Sequence, residues 1–306
     1  MGNCCKGSSD APPAKVSADI HAVPDASDEL NDLSSPSTFG VSDKYRLFEL
    51  KLPFQRIQVN HFIVKVKIAE QSSGAEGYVT LKTLRQELQT PAWKDLEDEN
   101  SELSRFLLSP AFKKKGQSGD QIDSECLQIF ALLNSPGKIG DKAEHVYNLL
   151  QGADSSGEVH THISATDKDL IPFFDKLCGL ACGELIEQST AIGAVGQIYE
   201  EDDMEKMKWQ IEVIREDQYL EDIYGVQSRI ENQVWMQKMC KEAKWVFDTA
   251  DIRKRILEAA GIEAKHFWTK YPDITLRQWQ RQIKNERVSF REGNNLFKKA
   301  IYGLFK

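Results

Sequence analysis

From Tyr45 onward, apolar residues return at every third or fourth position, the spacing of helices that bury one face. The first such stretch sets Phe54, Ile57, His61, Val64 and Ile68 on one side of a helix, although Phe62, Val64, Val66 and Ile68 also alternate as a strand would. The helix is the preferred reading. Further helices are expected from Ser101 to Leu108, Ser124 to Leu133, Lys142 to Gln151, Thr166 to Cys182, Met204 to Tyr224, Glu231 to Phe247, Ile252 to Ala260, Thr275 to Val288 and Leu296 to Leu304. Asp141, Thr166 (with Asp169 three positions on) and Thr275 read as caps at three of these starts. No series of β-branched runs recurs at even spacing, which argues against an all-β fold or a doubly wound sheet. The fold class expected is mainly α.

Residues 6 to about 43 break this pattern. They are rich in Ser, Asp, Ala and Pro and hold few large apolar side chains, too few to offset the entropy of ordering. The expected organisation is a disordered tether over residues 1–44, a helical region over 45–190 and a second helical region over 191–306. At 306 residues with 41% hydrophobic and 28% charged, the chain can bury one large core or two modest ones. A net charge of −8 argues against a nucleic-acid binder, whose affinity comes from neutralising phosphates. No apolar run reaches the roughly 18 residues of a membrane span, and the N-terminus lacks the apolar core of a secretory signal. The basic cluster Lys113-Lys114-Lys115 reads as a solvated loop.

The first five residues, Met1-Gly2-Asn3-Cys4-Cys5, read as a site for fatty acids. Gly2 would carry myristate after removal of Met1, and Cys4 and Cys5 would take palmitate. Two acyl signals turn marginal, reversible membrane binding into stable anchoring, so the expected location is the cytoplasmic leaflet of a membrane, plasma or ciliary. Lys6 stands where the usual pattern has Ser or Thr, and its charge is attracted to anionic lipid. The other four cysteines (Cys126, Cys178, Cys182 and Cys240) sit inside apolar helical patterns and read as reduced core residues.

Two segments suggest a helix, a Gly-containing loop, an aliphatic residue two positions after the Gly, and a second helix. In Glu70-Gln-Ser-Ser-Gly-Ala-Glu-Gly-Tyr-Val-Thr-Leu81 the turn falls to Gly77 and strand pairing to Val79; in Gln151-Gly-Ala-Asp-Ser-Ser-Gly-Glu-Val159 the same roles fall to Gly157 and Val159. With Ile122-Asp-Ser-Glu-Cys-Leu127, Asp141 to Leu150, Ser164 to Leu170 and Ala243 to Asp248, these segments resemble the divergent EF-hand-like proteins that ciliates and related protists have in large sets, many with an acylated N-terminus. The resemblance runs over roughly Tyr45 to Ile256. More loosely, Ser228-Arg-Ile-Glu-Asn-Gln-Val-Trp235 and Asp273 to Trp279 resemble junctions from loop to exiting helix.

The resemblance implies an EF-hand-like fold; calcium binding depends on the ligands. A working loop needs side-chain oxygens at positions 1, 3 and 5 and a bidentate carboxylate at 12. With Gly77 sixth, those positions hold Ser72, Gly74, Glu76 and Thr83; with Gly157 sixth, they hold Gly152, Asp154, Ser156 and Ile163. Neither set closes a calcium cage, and the junction at Ile274 has Pro272 where the Gly belongs. His160-Thr-His162 lacks a third zinc ligand at helical spacing, and the acidic run from Tyr199 to Met204 reads as a charge cluster at a helix N-terminus. No nucleophile elbow, phosphate loop or zinc-protease motif is present, so no catalytic, metal or cofactor residue is assigned. Trp93, Trp209, Trp235, Trp245, Trp268 and Trp279 mostly sit in amphipathic helices and read as core, with a partner groove lined by Trp235, Met236, Met239 and Trp245 as the alternative. The expected function is a non-enzymatic, membrane-anchored, EF-hand-like adaptor for a protein partner. The alternative is a calcium sensor with at least one working loop.

Overall fold

The computed structural model describes residues 44–114, 119–150, 162–166 and 168–262. In chain order its helices are α1 (Lys44–Lys51), α2 (Val59–Ser73), α3 (Leu81–Glu87), α4 (Glu102–Leu107), α5 (Ser124–Asn134), α6 (Ile139–Leu150), α7 (Leu170–Ala181), α8 (Gly183–Ala191), α9 (Glu201–Ile214), α10 (Glu221–Ile223), α11 (Asn232–Lys241) and α12 (Thr249–Ala259). Four three-residue strands, β1 (Tyr78–Thr80), β2 (Gln121–Asp123), β3 (His162–Ser164) and β4 (Arg229–Glu231), form two separate antiparallel pairs. The protein is mainly helical, with short strands that join loops to one another.

Local chemistry explains many of the boundaries. Pro53, Pro91 and Pro110 each open a 3₁₀ turn, where a fixed φ and a missing N–H cost nothing. The Ser101 hydroxyl accepts from the Ser104 N–H at 3.0 Å, the Asp123 carboxylate from the Glu125 N–H at 2.9 Å, and the Asp248 carboxylate from the Ala250 N–H at 2.8 Å. The Glu200 N–H donates to the Asp203 carboxylate, and Glu201, Asp202 and Asp203 fill the first turn of α9, where the helix dipole favours negative charge.

Several expectations need correction. The helix read from Phe54 to Ile68 exists as α2, but its buried side is Val59, Phe62, Ile63, Val66 and Ala69, while Val64 and Ile68 face solvent. Asp141 lies inside α6 rather than capping it, and its carboxylate accepts from the Asn60 amide at 3.1 Å. Asp169, not Thr166, stands immediately before α7. The single helix expected from Met204 to Tyr224 contains a π-helical turn at Arg215–Leu220, and the one expected from Glu231 to Phe247 ends at Lys241 and gives way to a 3₁₀ turn at Lys244–Phe247. Helix α8, with Gly183 at its start, was not anticipated. The helices expected after Ala260 lie outside the described residues.

One hydrophobic cluster runs from Tyr45 to Leu257. Its centre is aromatic: the Phe130 ring lies 4.9 Å from Phe54 and 5.4 Å from both Phe106 and Phe112, mostly edge to face. Cys126, Cys178 and Cys182 are buried free thiols, as their helical patterns suggested. The first and last described helices meet at a buried ion cluster. Arg253 on α12 donates to both oxygens of Glu49 on α1, at 2.7 and 3.2 Å, and Thr249 and Arg46 reach the same carboxylate. The β3–β4 pair joins residues on either side of position 190, the boundary expected between the two helical regions.

Candidate functional site

Each strand sits between a loop and the helix that follows it, so the pairs tie helix–loop–helix units together two by two. In the first pair Val79 stands opposite Ile122, and in the second Ile163 stands opposite Ile230; all four are buried. Gly77 takes the turn with φ 79°, a left-handed conformation that only Gly adopts readily, and Val79 takes the pairing position, as the sequence pattern implied. The junction read at Ser228–Trp235 is likewise a strand running directly into α11.

Within the first loop, several side-chain oxygens, those of Ser72 and Thr83 at ligand positions among them, are engaged by the protein itself. The Glu70 carboxylate accepts from the Gly77 N–H at 2.7 Å. The Ser73 hydroxyl accepts from the Ala75 N–H and lies 2.8 Å from the Tyr78 carbonyl. Ser72, at the first ligand position, donates outward to the Ile68 carbonyl. Thr83, at the twelfth, accepts from the Thr80 N–H at 3.0 Å while the Thr80 hydroxyl accepts from the Thr83 N–H at 3.2 Å, a reciprocal cap that starts α3. Lys114 lies 5.0 Å from the centre of the Tyr78 ring, placing a fixed positive charge beside the loop.

The same register applied to the other loops assigns their twelfth positions. It gives Cys126 in the second unit and Val234 in the fourth, neither of them a carboxylate. Burial pushes the Cys126 thiol well above the usual range, with the Asp123 carboxylate adding to the effect. Asp123 itself is taken up in capping α5. In the third unit the pairing residue is Ile163 rather than Val159, four positions later than the sequence pattern implied. The loop therefore shifts: Ile163 leaves the twelfth position, which passes to Asp167, and Ser156, Glu158 and His160 become the first, third and fifth. Those last four lie outside the described residues, as do Gly157 and Val159. Among the described residues no three His, Cys, Asp or Glu side chains gather in a metal-holding group.

The remaining candidates fall as follows. Gly2, Cys4 and Cys5 lie outside the described residues. No described helix is long and apolar enough to cross a membrane. Trp235, Met239 and Trp245 are buried, so the groove alternative for these residues is overturned: Trp245 donates to Asp222 at 3.1 Å and carries the Arg255 guanidinium over its ring at 4.4 Å. Among the described residues the exposed tryptophan is Trp209 on α9, 70% accessible. It borders a shallow depression formed with Asp175, Lys208, Ile211, Glu212 and Arg215. Sequence reading grouped Trp209 with the core tryptophans; the acidic residues spaced around it were the available signal that this face points outward. Comparison of the chain with protein-family models, with curated proteins and with solved structures gives no match.

Proposed function

We propose that this chain is an EF-hand-like adaptor without catalytic activity, held at the cytoplasmic leaflet of a membrane by acyl groups on Gly2, Cys4 and Cys5, and presenting a helical surface to a protein partner. The observation that carries the adaptor half is the pairing of Val79 with Ile122 and of Ile163 with Ile230, which couples helix–loop–helix units in the manner of EF-hands. The hydrogen bonds that close the first loop from within favour a structural use of the unit over an ion switch. The anchor half rests on the N-terminal residues and the two-signal rule for stable acyl anchoring.

A second reading, the calcium sensor, draws on one observation: the position of Ile163 in β3 passes the twelfth place of the third loop to a carboxylate, Asp167. Two experiments separate the claims. Fractionation of cells expressing the full chain and its Gly2→Ala form tests the anchor; Gly2→Ala is expected in the soluble fraction, and equal membrane recovery of both forms refutes acylation. Calcium titration followed by thermal melting tests the loops. The adaptor reading expects no shift, whereas a ligand at a hundredfold excess over its Kd would add about 2.7 kcal/mol of stability. A chelator-reversible rise that Asp167→Asn removes would replace the adaptor with the sensor.

A further inference from the structure

Helix α9 buries little of itself. Met207 and Ile214 face the core, while the opposite side is an outer stripe of Asp202, Glu205, Trp209, Glu212 and Val213, continued by Glu216 in the π turn, all exposed. A large aromatic and an aliphatic side chain thus sit in solvent, bordered by four carboxylates. Lys206 pairs with Asp202 at 2.5 Å, Lys208 faces Glu187 at 3.9 Å, and one Arg215 guanidinium is shared among Asp175, Glu212 and Glu216, so Glu205 and the surplus charge of Glu212 and Glu216 set the sign of the border. An apolar centre inside a charged rim is the anatomy of a docking face, and the sign of the rim calls for a cationic occupant.

The chain holds such an occupant. Residues 263–306 carry ten Lys and Arg against four Asp and Glu, whereas the rest of the sequence carries 29 against 43. The pattern within Thr275–Val288 matches the stripe. At helical spacing, Leu276, Trp279 and Ile283 share one side, Arg277, Arg281 and Lys284 fall on the adjoining side, and Arg287 falls beside Leu276. The departure point is favourable as well. Helix α12 packs along α9, the Arg255 side chain bonds to Gln218 just beyond α9, and Ile262, the last described residue, packs against the core. The described chain therefore ends just past a helix that packs on α9.

We propose that residues 275–288 dock intramolecularly on the outer stripe of α9, with Trp279 and Ile283 against Trp209 and Val213 and with the arginines against Glu205, Glu212 and Glu216. The contact covers the most exposed aromatic of the described body and holds a basic segment away from anionic lipid and other acidic surfaces. It does not depend on the adaptor reading.

Limited trypsin digestion of the full chain tests the dock, because cleavage after Arg277, Arg281, Lys284 and Arg287 reports the undocked population. The double variant Glu205→Lys, Trp209→Ala changes two exposed side chains and leaves the core untouched. Cleavage at these four sites is expected to rise about tenfold in the variant at low salt, and the parent is expected to approach that rate at 1 M salt, where charges are screened within about 3 Å. Adding Arg277→Glu and Arg281→Glu to a Glu205→Lys, Glu212→Lys chain is expected to restore protection at Lys284 and Arg287, the two of these sites that trypsin can still cut. Equal cleavage of parent and double variant overturns the proposal. So does protection that grows with protein concentration, which would make the occupant a second copy. Protection seen only with vesicles containing anionic phospholipid overturns it too and assigns the segment to the membrane.

Discussion

The carboxylate of Glu49 is the point at which the two ends of the described chain are fastened, and Glu49→Gln removes its charge at nearly constant volume. Glu49 is fully buried and Arg253 is 1% exposed, so neither group regains hydration when the other is neutralised. Four donors surround the two oxygens: both terminal nitrogens of Arg253 at 2.7 and 3.2 Å, Arg46 at 3.3 Å and the Thr249 hydroxyl at 2.8 Å. The substitution removes the negative charge that these donors share and turns an amide N–H₂ toward one of them. Breaking a buried pair from one side costs about 3–5 kcal/mol. For a protein of this size each kcal/mol corresponds to about 2–4 °C, which places the fall in Tm near 10 °C. Urea titration followed by far-UV circular dichroism measures the loss directly, with an unchanged slope expected because the same surface is exposed on unfolding. A loss below about 1 kcal/mol would refute the reasoning and leave the Ala181 carbonyl, which accepts from Arg253 at 2.7 Å, as sufficient compensation. Replacing the pair together, with Glu49→Leu and Arg253→Met, removes both charges, and its loss is expected to be smaller than that of Glu49→Gln alone.

Gly77→Ala forces a Cβ onto a residue at φ 79° with the Lys114 ammonium 3.3 Å from the new carbon, and a loss of about 1–2 kcal/mol in a urea melt is expected. Burial lowers the affinity of His145 for its proton, with Lys67 adding to the effect, and its ring nitrogen sits 3.0 Å from the Asn60 side-chain oxygen. The depressed group contributes stability that is present above the ordinary histidine value of 6.5 and is lost as pH falls through the lower folded value. Stability measured between pH 7.5 and about 5 is therefore expected to drop less steeply in His145→Gln than in the parent, and parallel curves would refute this. Burial raises the Cys126 and Cys178 thiols, so in unacylated protein a thiol reagent at pH 8 is expected to modify Cys4 and Cys5 within minutes and Cys126, Cys178 and Cys182 only after denaturation. Native reactivity of Cys178 matching that of Cys4 would show that the core opens.

Helix α5 was legible because Cys126, Leu127, Ile129 and Phe130 are flanked by a clean cap at Asp123. The first loop was legible because Gly77 and Val79 hold a fixed offset that chain geometry enforces. Helix α2 was legible only as a helix. Phe62, Ile63, Val64, Val66 and Ile68 surround it with apolar side chains, so its buried side was settled by partners on other helices. The register of the third loop failed for a related reason: Val159 and Ile163 both fit the aliphatic pairing position, and only Ile230, far along the chain, selects between them. Helix α8 was hidden by Gly179, Cys182 and Gly183, since a helix start at Gly without a side-chain cap leaves no signal in the sequence. Glu49 and Arg253 carry no local sign of their partnership, because 204 positions separate them. The outward stripe of α9 was visible as acidic spacing, yet Trp209 was taken for core because most tryptophans in amphipathic helices are buried.

The π turn at Arg215–Leu220 has a consequence for how this gene tolerates change in length. Inward-facing residues fall at Met207 and Ile214 before the turn, at Tyr219 within it and at Ile223 after it, with a step of five from Ile214 to Tyr219 where an α-helix would use four. Loss of one residue from an ordinary helix rotates everything downstream by about 100° and turns the apolar side to water. Here the turn carries one residue more than the helix needs. Removing Asp217, which is exposed, would close it into regular α-helix and keep Tyr219 and Ile223 pointing inward, with a far-UV spectrum and melting point close to those of the parent. A single-codon deletion, ruinous within α9, becomes a neutral step at the turn that follows it, and shorter relatives of the chain would be expected to differ first at this turn.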